Sequence, residues 1–78
     1  MIKKMFSVFD IKAAVFSSPF VSIRNETAIR DFNNACADPD SMLSKNPGDY
    51  SLYELGEFDD TTGFITPANP IKMISTAF

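Results

Sequence analysis

The 78-residue sequence contains no histidine, no tryptophan, one cysteine and only three glycines. Without histidine a Cys/His zinc centre cannot be assembled within one chain, and neither Cys36 nor the pair Ser17 and Ser18 has an imidazole base to activate it. A single cysteine excludes an internal disulfide and suits a reducing compartment. Gly48, Gly56 and Gly63 match neither a phosphate-binding loop nor a dinucleotide-binding turn. Long apolar runs are missing too. Near the N-terminus Asp10 and Lys12 interrupt the apolar stretch, far short of the roughly 20 residues that span a bilayer. These absences predict a non-enzymatic cytosolic protein with no cofactor, no metal and no membrane association.

What is present fits one small globular domain. Hydrophobic residues make up 45% and charged residues 22%, an ordinary folded composition. A chain of this length buries only about 60% of the surface that it exposes when unfolded. Eight phenylalanines have no polar tip, so wherever several fail to fit one small core the surplus leaves an adhesive surface. Self-association would hide the surplus, so a homo-oligomer is expected, a dimer before any other.

Period and punctuation give the elements. In "KKMFSVFDI" (3–11), Lys4, Phe6, Val8 and Asp10 fall on one side of a strand, and Met5, Ser7, Phe9 and Ile11 on the other. Apolar residues on both sides predict a strand covered twice, by a helix on one face and a second subunit on the other. "KAAVFSSP" reads as a connection, and "FVSIR" (20–24) as a second strand. Asn25 is the expected N-cap of a helix running to about Ala37, with Ala28, Ile29, Phe32, Ala35 and Cys36 on its apolar face. Pro39 ends it, because Asp38 before the proline is pushed to extended angles. In the long connection 38–49, Met42 and Leu43 are expected to bury. "YSLYELGEF" and "FIT" are the third and fourth strands, joined by "DDTTG" with Gly63 left-handed, and Pro67 and Pro70 end regular pairing. The fold predicted is α+β: a small antiparallel sheet with one helix packed on a face, in the order strand, strand, helix, strand, strand. Residues 1–67 form the domain and 68–78 a tail or edge strand.

Two clusters invite a chemical reading. The acids Asp49, Glu54, Glu57, Asp59 and Asp60 crowd one stretch, but Asp59 and Asp60 suit the turn. Glu54 and Glu57, three apart, fall on opposite faces of a strand unless a bulge at Gly56 intervenes. "DDTTG" also lacks the alternating oxygen ligands of a calcium loop. The second cluster is basic and aromatic. Net charge is −3, which argues against strong general attraction to nucleic acid. Yet residues 1–30 hold Lys3, Lys4, Lys12, Arg24 and Arg30 against only Asp10 and Glu26, while 31–78 hold Lys45 and Lys72 against eight acids. If the cations gather on one face, they form a phosphate track beside Phe16 and Phe20, on which bases could stack. Scattered solvated charge is the alternative.

One resemblance sharpens this. "FSVFD", the Pro19–Phe20 pair, "AIRDF" (28–32), "SKNPGDY" (44–50) and "LGEFDD" (55–60) occur in the order found in the small non-structural protein of gokushoviruses, within the Microviridae. These are tailless phages with circular single-stranded DNA genomes, and the chain resembles that family over residues 1 to about 67. It departs from the usual pattern at Asn46, where histidine is common, and at Gly48, where an acid is. The resemblance implies a DNA-binding protein of the host cytoplasm that supports viral single-stranded DNA synthesis or packaging. Its alternative is a protein-interaction module that docks on the phage replication initiator or on capsid proteins without touching DNA.

Overall fold

The computed structural model describes residues 1–76 of the chain. Strand β1 (Ile2–Asp10) is followed by two short strands, β2 (Val15–Phe16) and β3 (Phe20–Ser22), and then by helix α1 (Asn25–Ala37). A four-residue helix α2 (Met42–Lys45) and a 3-10 turn (Pro47–Asp49) lead into the long strands β4 (Tyr50–Asp59) and β5 (Ile65–Thr76). All pairings are antiparallel: β4 lies between β1 and β5, and both short strands pair with the far edge of β1. The protein is thus the expected small α+β fold, with one added strand. The connection 12–18 contributes β2, because the backbone of Phe9 and Asp10 pairs with Phe16 and Val15 across a tight reversal at Ala14, whose φ is 56°.

The alternation of β1 is realised. Phe6 and Val8 point towards α1 and meet Leu52 and Tyr50 of β4, Phe20 of β3 and Ile74 of β5. From the helix come Ala28, Ile29, Phe32 and Cys36, spaced to share one face. Among the described residues, four apolar side chains are buried, Phe6, Ala28, Phe32 and Leu52. Each large one contributes about 1.5–3 kcal/mol by leaving water. The helix begins one residue earlier than capping chemistry predicts: Arg24 occupies the N-cap position without a side-chain cap, and Asn25 lies in the first turn, its Oδ1 buried without a partner. It ends at Asp38 with ψ of 116°, as the following proline requires.

The connection 38–49 is fastened at one point. Leu43 packs against the core, while Met42 remains 62% exposed, contrary to the expectation that both bury. Ser41 caps α2 by accepting from the Leu43 amide, and this short helix turns one of the two apolar side chains inward.

Pairing at the prolines differs most from expectation. It does not stop at Pro67; Gly56 pairs with Pro67, the chain bulges through residues 68–71 with a cis Asn69–Pro70 bond, and pairing resumes at Lys72 opposite Glu54. A proline lacks a donor but can sit at a sheet edge, and β5 is an edge strand. Of the expected tail, residues 77–78 lie outside the described residues. Opposite this bulge, β4 carries its own irregularity, with Leu55 as the extra residue between Glu54 and Gly56. Gly56 has φ of +156°, and a Cβ there would run into the carbonyl oxygen of Thr66 and come within 2.8 Å of Pro67 Cα. Gly56→Ala should therefore cost about 3 kcal/mol, at the high end for one substitution. Urea denaturation of the two proteins checks this, and a loss below about 0.5 kcal/mol, the range of inert surface changes, would contradict it.

Candidate nucleic-acid interface

The second face of the sheet has no helix over it. Register places Lys3, Met5, Ser7 and Phe9 of β1 there, opposite Phe58, Gly56, Tyr53 and Ser51 of β4. Phe16 joins them through its pairing with Phe9, Val21 through Met5, and Ile65 and Met73 through Phe58 and Tyr53.

Three rings dominate this face. Phe9 and Phe16 have centroids 4.6 Å apart, and Tyr53 meets both edge-on, at 6.0 Å from Phe9 and 5.4 Å from Phe16. Edge-to-face contact sets the positive edge of one ring against the negative face of its neighbour. Phe16 remains 40% exposed. Ser7 lies buried beside this cluster, its hydroxyl donating to the Ser17 carbonyl at 2.7 Å, and the Ser17 hydroxyl accepts from the Val8 amide. These bonds tie the β2 hairpin to β1 and so fix where Phe16 sits.

Charge is distributed unequally between the two faces. The strand carboxylates Asp10, Glu54, Glu57 and Asp59 share the register face of Lys4, Phe6 and Val8, on the helix side. Glu54 and Glu57 are together there because a bulge, at Leu55 next to Gly56, does intervene and shifts the alternation by one. Among the described residues no group of three potential metal ligands converges. Asp59 and Asp60 serve the turn, where Asp59 accepts from the Thr61 amide and Gly63 has φ of 79°. No strand residue of the helix-free face carries a carboxylate.

The expected phosphate contacts do not form one track. Lys3 and Lys4 point to opposite faces, and each stands near an acid: Lys3 Nζ is 3.5 Å from Asp60 and Lys4 Nζ 3.9 Å from Glu54. Arg30, on the exposed surface of α1, lies 3.8 Å from Asp31. Lys12 occupies the β1–β2 turn at the Phe9 and Phe16 end of the sheet, and Arg24 precedes α1. Neither has a carboxylate within ion-pair distance among the described residues. Arg24 and Lys4 line a shallow cavity of about 330 Å³ with Glu26. The Met1 amino group donates to Asp60 at 2.7 Å, and that bond, with Lys3 beside it, holds the Asp60 carboxyl below the usual range.

The two aromatic candidates part company. Phe16 is on the helix-free face, whereas Phe20 lies on the helix side with its ring 5.8 Å from Phe6. Tyr53, absent from the sequence-based candidates, replaces it in the cluster. Its signal was the cross-strand register to Ser7 and the diagonal approach to Phe9, which no sequence spacing reveals.

Compared with protein-family models, residues 3–78 match the family described as Phage ORF5 protein. A search of curated proteins and a search of solved structures each return no match.

Cys36 lies against the core, where burial pushes its thiol up from the ordinary range and lowers the thiolate fraction. A thiol reagent near neutral pH should accordingly modify it several-fold more slowly in the native protein than in urea. Equal rates would contradict the placement.

Proposed function

Because the chain belongs to the Phage ORF5 protein family, we propose that it is a non-enzymatic phage protein that binds single-stranded DNA. In this reading it acts in the host cytoplasm during viral single-strand synthesis or packaging, as its resemblance to the gokushovirus protein implies. The observation that carries the proposal is the helix-free face, which offers Phe9, Phe16 and Tyr53 and no strand carboxylate. Unpaired bases are bound by aromatic side chains because every base has a stackable π-face, and across the rings an anionic strand meets no strand carboxylate, Asp60 lying at the far end beside Lys3. The same bases in duplex DNA are already stacked on one another, so single strands are preferred.

Phosphate contacts have a subordinate part. With Lys3, Lys4 and Arg30 each beside an acid, Lys12 at the ring end of the sheet is the cation best placed to meet the backbone. Affinity should then fall shallowly with salt, with a logarithmic slope of about −0.7 for each phosphate neutralised. A second reading, a protein-interaction module of the phage replication or capsid machinery, is favoured by those same neutralised cations.

Fluorescence anisotropy with labelled oligo-dT and with a duplex of equal length separates the two. The DNA-binding reading expects preference for the single strand and a loss of about 1–3 kcal/mol for Phe16→Ala or Tyr53→Ala. Lys12→Glu should weaken binding and flatten the salt dependence. No complex at low salt, or equal affinity in the ring variants, would overturn it.

A further inference from the structure

We propose that without DNA the helix-free face is covered by a second copy of this chain, so that self-association and single-stranded DNA compete for one surface. The competition rests on the nucleic-acid reading above; the dimer does not.

The case for a second copy begins with the imbalance of the monomer. Among the described residues only four apolar side chains are buried, whereas Phe16, Val21, Ile65 and Met73 on the helix-free face are 40–60% exposed. With strands about 4.8 Å apart and about 3.4 Å per residue, the face measures roughly 500 Å² in projection over the nine residues of β1. Two such faces bury about 1,000 Å² or more together, the lower limit for a specific interface. An area at that limit gives an association that a ligand can displace.

Charge permits the contact. A molecule of net charge −3 repels its copy, but the strand carboxylates lie on the other side of the sheet. On the helix-free face the only charged strand residue is Lys3, at one end and beside Asp60. Two copies related by a two-fold axis would bring apolar centres together, packed as aligned sheets roughly 10 Å apart. The sheet edge is the poorer alternative. β5 is interrupted by Pro67 and Pro70, which offer no donor, and carries Lys72, devices that blunt edge pairing.

Sedimentation velocity on the full chain, alone and with saturating oligo-dT, tests this alongside the Met73→Lys variant. Met73 is 57% exposed and outside the ring cluster, so the change places like charges across the dimer without disturbing the core. The expected results are a wild-type species of twice the 8.7 kDa chain mass at tens of micromolar and its dissociation into DNA-bound monomers. Met73→Lys should be monomeric; because the new lysine also attracts phosphate, the competition is read from the wild-type dimer with oligo-dT and not from the affinity of this variant. A monomeric wild type, or a dimer that persists in Met73→Lys, would overturn the dimer. A dimer that stays intact when saturated with oligo-dT would overturn the competition. Failure of oligo-dT to bind the monomeric variant would instead remove the nucleic-acid reading and leave the dimer standing.

Discussion

One helix can cover only one side of a sheet, and the other features of this protein follow from that limit. The 13 residues of α1 span about 20 Å, enough to lie across the four strand rows once. Phe6, Leu52, Ala28 and Phe32 close the interface that results. Neither helix lies over the reverse side, where Ser17 covers Ser7 but Phe16, Val21, Ile65 and Met73 stay 40–60% exposed. The small enclosed core and the aromatic surface are two aspects of the same geometry.

Electrostatics distinguishes that surface from the helix side. An acidic protein of pI near 4.6 is a poor candidate for nucleic-acid binding as a whole. Sorting the strand carboxylates onto the helix side changes this locally. It also removes the idea of a continuous cationic track. Exposed pairs such as Lys3 with Asp60 contribute roughly 0–1 kcal/mol to stability, but each gives a cation a competing partner that phosphate must displace.

Much of the fold was legible because it depends on local rules. The alternation in 3–11, the helical stripe ending before Pro39, and the turn with Gly63 each report a period or a backbone angle that nearby residues impose. What was not legible depends on partners distant in sequence. The strand Val15–Phe16 exists because Phe9 and Asp10 are there to pair with it. β5 passes through two prolines because β4 holds it on either side of the bulge. Lys3 and Lys4, adjacent in sequence, are separated by the pleat, so a cluster along the chain is not a cluster in space. Phe16 and Phe20 look equivalent in a list of aromatics, yet their pairing with Phe9 and Phe6 sends them to opposite faces. Tyr53 enters the site only through cross-strand contact.

At the centre of this reading stands one proposal, that the protein meets DNA on the face that α1 leaves uncovered. Backbone amide chemical shifts followed by NMR during titration with oligo-dT test it most directly. The account predicts that the largest changes fall on Phe9, Phe16, Tyr53 and their strand neighbours, while α1 stays nearly unmoved. Changes concentrated instead on α1 and the Lys4–Arg24 cavity, with the ring cluster silent, would contradict it.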